Sequence, residues 1–263
     1  MVSFHDVQAG LRSLEINPQN PVIVHTSLKS FGEVRGGADT VLGALLSTFQ
    51  SVAMPTFTYK TMITPEDGPD DNAMDYGSGK DLNRMAEFFF PEMPADPLMG
   101  VVAEKLRQRP NAKRSIHPIL SFSAVNLDEA MSMQTYEEPL APIREIAELN
   151  GWVLLLGVDH TSNTSIHYAE LLAGRRQFVR WALTPGGVRE CPGFPGCSDG
   201  FEQAAGFLSG LTRHTLIGEA SIRALPLHPM LDSLVELISA DPHVLLCNNL
   251  TCARCGAIRK LAI

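Results

Sequence analysis

His167 and Glu170 stand three residues apart, just beyond the apolar run Trp152-Val-Leu-Leu-Leu156. On a helix an i, i+3 pair shares one face. A neutral imidazole whose ordinary pKa lies near physiological pH is a suitable general base, and a neighbouring carboxylate can orient it or hold a cation. Strands buried on both faces of a parallel sheet read as continuous apolar runs, and open α/β sheets bind ligands outside the carboxyl ends of such strands. Gly157 to Asn163 is therefore read as a loop at a ligand crevice, and Asn163 or Thr164 as the cap of the helix presenting His167 and Glu170. A helix cap followed by an ordinary surface His/Glu pair fits the same residues.

The elements that position this pair alternate between strand and helix. Phe4 to Leu14 has helical periodicity, and Pro21 to His25 reads as a buried strand ending in a polar turn. That turn, Thr26 to Gly37, carries hydroxyls, Lys29 and glycines at 32, 36 and 37 before a helix from about Ala38 to Thr48. Such a loop offers backbone N–H groups and a helix N-terminus to phosphates or amides, although it contains no Walker or dinucleotide fingerprint. Val52 to Tyr59 is strand-like but interrupted by Pro55. The polar stretch that follows, to about Arg84, is too long for a plain connection and reads as a binding loop or lid. Met99 to Gln108 reads as a helix, Ile119 to Ala124 as a strand and Pro139 to Leu149 as a short helix. After the His167 helix come strand-like pieces at Gln177 to Leu183 and Leu216 to Ile222, a helix from Pro229 to Ala240 and a last strand from His243 to Cys247.

The 263 residues can bury a large core, and their 44% hydrophobic and 19% charged content is that of a globular chain rather than a disordered one. No apolar run reaches the roughly 18 residues of a membrane span. The start, Met-Val-Ser-Phe-His-Asp, lacks the basic and apolar segments of a signal peptide, so a cytoplasmic location is expected. A net charge of −8 argues against a nucleic-acid footprint and suits a cationic partner. No repeat or linker divides the chain.

Several spaced motifs then carry a resemblance. In order they are Val24-His-Thr-Ser-Leu-Lys-Ser-Phe-Gly32, Gly36-Gly-Ala38, Met54-Pro-Thr-Phe57, Arg114-Ser-Ile-His-Pro118, Ser121-Phe-Ser-Ala124, Leu154-Leu-Leu-Gly157 and Asn163-Thr-Ser-Ile-His-Tyr-Ala-Glu170. The chain closely resembles the aminoglycoside 3-N-acetyltransferases over nearly its whole length. The resemblance implies one domain over residues 1–263, an α/β/α sandwich with a mostly parallel central sheet and a long active-site loop. It also implies acetyl-coenzyme A as cosubstrate and an amine of a 2-deoxystreptamine antibiotic as acceptor, in a monomer or homodimer. Acetyl transfer needs the free amine, which makes His167 the expected base, with Glu170 either orienting it or holding the substrate ammonium. Thr164 either caps its helix or donates to the developing oxyanion. The implied coenzyme A residues are His25, Thr26, Ser27, Leu28, Lys29 and Ser30 in the first turn, joined by Arg114, Ser115, His117 and Ser121. Lys29 or Arg114 would neutralise phosphate, and His117 is either a ligand contact or a core histidine. Tyr59, Asp67 and Asp75 are expected on the acceptor, within an acidic stretch that includes Glu66, Asp70 and Asp71 and equally reads as a solvated loop.

Five cysteines add a separate question. Cys191, Cys197, Cys252 and Cys255 are compatible with a structural four-thiolate zinc site, built on the Cys252-x2-Cys255 knuckle. Cys247 ends an apolar run and reads as a buried small hydrophobe. Reduced, unpaired thiols are the competing reading. Two other classes bear on the chain as a whole. A metal-dependent hydrolase using His160, His167 and Glu170 lacks an H-E-x-x-H pattern, and a noncatalytic binding protein would not need His167.

Overall fold

The apolar runs at Val22–Thr26 (β1) and Trp152–Leu156 (β6) lie side by side and parallel, with Val22 opposite Trp152 and Thr26 opposite Leu156. Successive side chains of a strand point to opposite faces, and these strands need apolar residues on both. Ile23, Val153 and Leu155 join one core cluster, and Val22, Val24, Leu154 and Leu156 join the other. Each such side chain, fully buried, contributes roughly 1.5–3 kcal/mol.

The computed structural model describes residues 1–261. In chain order the remaining elements of the first half are α1 (Phe4–Ser13), α2 (Gly37–Thr48), β2 (Val52–Pro55), β3 (Met62–Ile63), α3 (Lys80–Asn83), α4 (Val101–Arg107), β4 (Ala112–Arg114), β5 (Phe122–Val125), α5 (Asp128–Ser132) and α6 (Ala141–Glu148). The second half adds α7 (Ser165–Leu172), β7 (Phe178–Thr184), β8 (Gly187–Phe194), α8 (Ala204–Phe207), β9 (Arg213–Ile217), β10 (Ala220–Pro226), α9 (Leu227–Ala240) and α10 (Ala253–Leu261).

A seven-stranded sheet runs β4-β5-β2-β1-β6-β10-β9. Its centre, β2-β1-β6, is parallel, while both flanks pair antiparallel. Helices α1, α2 and α4 pack their apolar stripes on one face, and α6, α7 and α9 on the other, which gives the expected α/β/α layering. A second sheet, β3-β7-β8, packs Phe178, Ala182, Cys191 and Phe194 into the α6/α7/α9 side of the core.

Two expectations change, and one strand comes to light. The run His243 to Cys247 is a turn, not a strand: Leu245 has φ +63°, and Arg175 takes the carbonyls of Pro242 and Val244 that a sheet neighbour would have used. Leu216 to Ile222 is the tip of the β9-β10 hairpin. Gly218 turns it at φ +59°, where a Cβ would stand 2.5 Å from the Phe31 carbonyl oxygen. Cys191 belongs to β8, a strand hidden in the sequence by Pro192 and Gly193.

Candidate active site

All three parallel strands end at one mouth. The end of β1 and the loops leaving β1, β2 and β6 supply His25 to Lys29, Phe57 and Tyr59, and Val158 with Thr161 to Thr164, to the wall of a cavity of about 1010 Å³. The β1 and β6 loops are fastened to each other. Ser27 N–H donates to the Leu156 carbonyl at 3.0 Å, and Ser30 Oγ donates to the Gly157 carbonyl at 2.6 Å. Position 157 must be glycine for this approach: φ is +69°, and a Cβ would lie 2.4 Å from Ser30 Cβ.

His167 lies on the first turn of α7, is 8% exposed and lines the cavity. Its Nδ1 is 2.7 Å from Glu170 Oε2, and Glu170 Oε1 accepts from Arg175 Nη1 at 2.7 Å. Glu170 is only 1% exposed, and both of its oxygens are engaged inside the protein. A carboxylate can only accept, so in the neutral imidazole Nδ1 carries the proton and Nε2 keeps its lone pair. Phe201 packs edge-on against the imidazole, with ring centroids 4.7 Å apart. Thr164 lines the cavity beside it. Its side chain makes no capping bond, and Asn163 Oδ1 instead accepts from Ser165 N–H at 3.1 Å.

The first-turn residues sort unevenly. His25, Thr26, Ser27, Leu28 and Lys29 line the cavity, whereas the Ser30 hydroxyl is committed to Gly157. His25 Nε2 and Thr26 Oγ1 are buried polar atoms with no partner in the protein, and burial pushes the His25 imidazole down to about 3, keeping it neutral. Tyr59 also lines the cavity. Burial, with the negative charge of Asp96 adding to it, raises its phenol to about 12, so it acts as a neutral donor.

Arg114, Ser115, His117 and Ser121 are not brought to this cavity; they brace the β4-β5 side of the sheet. Arg114 donates to the carbonyls of Thr56 (2.7 Å), Pro91 (3.0 Å) and Met93 and to Ser121 Oγ, with its guanidinium over the Phe89 ring. Burial lowers its pKa to about 10. Ser115 Oγ accepts from Phe122 N–H at 2.8 Å. His117 Nδ1 accepts from the N–H groups of Ile119 and Leu120 at 3.1 and 2.9 Å, and burial pushes its pKa down to about 4. Its Nε2 is a buried atom with no partner in the protein.

Asp67 and Asp75, with Glu66, Asp70 and Asp71, are exposed and lie outside the cavity wall. Asn72 ties their loop to β7, accepting from Val179 N–H at 2.8 Å and donating to its carbonyl at 3.0 Å. The carboxylate that does line the cavity is Asp199, on a wall that also holds Arg254 and the Phe194-Pro195-Gly196 segment. Sequence reasoning missed these residues because the second sheet and the C-terminal tail deliver them from far along the chain.

The thiols also regroup. Cys191 is a core side chain whose pKa burial raises to about 12. The Sγ atoms of Cys197, Cys247, Cys252 and Cys255 lie within 4.8 Å of one another, so Cys247 takes the place expected for Cys191. His160, His167 and Glu170 do not form a cation site. His167 and Glu170 are bonded to each other, and the His160 side chain faces Asn163 at 3.4 Å.

The sequence profile described as aminoglycoside 3-N-acetyltransferase matches residues 23–239, and the chain belongs to that acyltransferase family. Aminoglycoside N(3)-acetyltransferase III of a Salmonella species is 29% identical over 239 residues, covering 79% of this chain and 80% of its own length. The apoenzyme of aminoglycoside acetyltransferase AAC(3)-IVa has a TM-score of 0.78 at 25% identity, covering 100% of this chain and 98% of its own. A structure described as AAC-IIIb binary with CoASH shares the fold, with a TM-score of 0.72 at 22% identity over 90% of this chain and 96% of that one. Among the described residues no helix is long and apolar enough to cross a membrane.

Proposed function

We propose that the chain transfers the acetyl group of acetyl-coenzyme A to an amine of an aminoglycoside, the 3-amino group of 2-deoxystreptamine, with His167 as general base. The observation that carries this reading is the His167–Glu170–Arg175 chain of contacts on the cavity wall. It holds Nδ1 as donor and leaves Nε2 to take a proton from the attacking amine. The nitrogen lone pair adds to the thioester carbonyl and forms a C–N bond. The resulting oxyanion is stabilised by a donor that does not have to reorganise, a role assigned to the uncommitted Thr164 hydroxyl. Collapse breaks the C–S bond and expels the coenzyme A thiolate, which is reprotonated, while the amide nitrogen gives its proton to His167.

The same reading places the donor along Thr26 to Lys29. The unpartnered His25 and Thr26 atoms suit the amide and hydroxyl groups of pantetheine, and Lys29 offers charge to phosphate. The AAC-IIIb complex with coenzyme A, in the same fold, supports this donor. On the acceptor side Asp199 supplies the carboxylate for an ammonium group, and Tyr59 a hydroxyl.

The test is thiol release from acetyl-coenzyme A across a panel of aminoglycosides and simple amines, for the native protein and His167→Ala. The expected result is turnover with 2-deoxystreptamine aminoglycosides that falls by about 10²-fold or more in the variant, with coenzyme A affinity retained. A folded native protein that releases no thiol with any of them, or a variant with near-native turnover from about pH 6 to 9, refutes the proposal.

A further inference from the structure

We propose that Cys197, Cys247, Cys252 and Cys255 bind one Zn²⁺ as a four-thiolate site that clasps the C-terminal tail to the acceptor wall of the cavity. The metal assignment stands apart from the acetyl-transfer reading, whereas its effect on the acceptor rests on it.

The geometry comes first. Zinc held by four thiolates at about 2.3 Å requires tetrahedral sulfur-to-sulfur separations of about 3.8 Å. All the Sγ pairs here fall within 4.8 Å, although the residues come from two segments some fifty positions apart. Thiols packed only as small hydrophobes need no mutual convergence, and Cys191 illustrates that alternative within the same core. Cys252 sits at the start of α10 and Cys255 within its first turn, so N–H groups at the helix N-terminus favour negative charge on this knuckle. Arg259 donates to the Cys247 carbonyl and Arg254 Nη1 to the Gly196 carbonyl at 2.8 Å, which places two cations beside a centre carrying a net double negative charge. Binding is a proton exchange without redox change: four S–H bonds are lost, four Zn–S bonds form, and up to four protons pass to solvent.

What the clasp would hold is also on the page. Cys197 lies between Gly196 and Ser198 of the cavity wall and two residues before Asp199, while Cys255 follows Arg254, another wall residue. The Gly196 backbone packs over Glu170, since a Cβ there would lie 3.8 Å from Oε2. Arg175, the partner of Glu170, bonds Pro242 and Val244, just before Cys247 in the chain. One metal therefore fixes both halves of this wall and backs the His167 support from outside.

The test begins with elemental analysis of the full chain purified without chelator and equilibrated with micromolar Zn²⁺. About one zinc per chain is expected, and Co²⁺ in its place should give the absorption of a tetrahedral four-thiolate centre. Cys191→Ser should keep the metal, and Cys255→Ser should lose it. Metal-free native protein with five freely titrating thiols, or a disulfide among the four cysteines by mass, overturns the assignment, and neither readout requires activity or a stable variant; loss of zinc in folded Cys191→Ser overturns it as well. Mild chelation of the native protein should raise the KM for the amine by about tenfold or more, leave coenzyme A affinity unchanged and be reversed by added Zn²⁺. Unaltered acceptor KM in folded, zinc-free protein overturns the clasp.

Discussion

Glu170 touches His167 through one carboxylate oxygen and Arg175 through the other, each contact at 2.7 Å. A buried carboxylate with both oxygens engaged has no free face for a substrate ammonium, and its charge is balanced within the protein. Between its two candidate roles, orienting the imidazole and holding the acceptor, this arrangement favours the first.

Glu170→Gln should therefore act on turnover rather than on acceptor binding. A glutamine amide can donate to Nδ1, which moves the imidazole proton to Nε2 and removes the lone pair that would take the amine's proton. The expected outcome is a fall in kcat of about 10²-fold with little change in acceptor KM, measured by thiol release at saturating acetyl-coenzyme A. A large rise in acceptor KM at unchanged kcat would return Glu170 to the ammonium role.

Arg114 should prove to be a brace rather than a phosphate ligand. Replacing it with Ala leaves the carbonyls of Pro91 and Met93 without their donor and that of Thr56 with the Ser121 hydroxyl alone. The change should cost about 3 kcal/mol in urea unfolding. Arg114→Lys should recover little of this, because a single ammonium cannot span the positions that the planar guanidinium reaches. Calorimetry on folded Arg114→Lys should find coenzyme A affinity essentially native; a loss that weakens further with added salt would restore the phosphate role.

His117 gives the fold an acid limit. Its pKa falls from 6.5 to about 4 on burial. Between those values the unfolded chain binds a proton that the folded chain refuses, so stability is full above about pH 6.5 and declines as the pH falls toward 4. The whole gap corresponds to about 3 kcal/mol. His25, lowered by burial to about 3, works in the same direction. Urea unfolding of His117→Asn between pH 7 and 4.5 should show a shallower pH slope than the native protein; an identical slope would place the linkage elsewhere.

The central strands and the His167 helix were legible because each obeys a local rule. Strands buried on two faces read as apolar runs, and a base beyond such a strand sits where open sheets bind ligands. The Arg114 to Ser121 stretch is ambiguous in the sequence because structural bracing and ligand binding draw on the same polar residue types, and only the tertiary partners separate them. Cys247 hid inside an apolar run that a left-handed Leu245 turns aside. Asp199 and Arg254 have no local signature at all, since the second sheet and the tail carry them to the cavity. The polar stretch to about Arg84 reads in the sequence as a binding loop or lid, whereas Asn72 docks it against β7, with its carboxylates outside the cavity wall.

Two walls of the cavity differ in parentage. One is made by the loops that follow β1, β2 and β6, whose positions are locked by strand register and by contacts as close as Ser30 on Gly157. The other, from Phe194 to Asp199 with Arg254, hangs from the small sheet and the tail, outside that register. Substitutions in the second wall can reshape the opening without displacing the strand ends behind it. On the function proposed here, a lineage with this architecture can change which amine it admits while its acyl-donor grip is inherited intact.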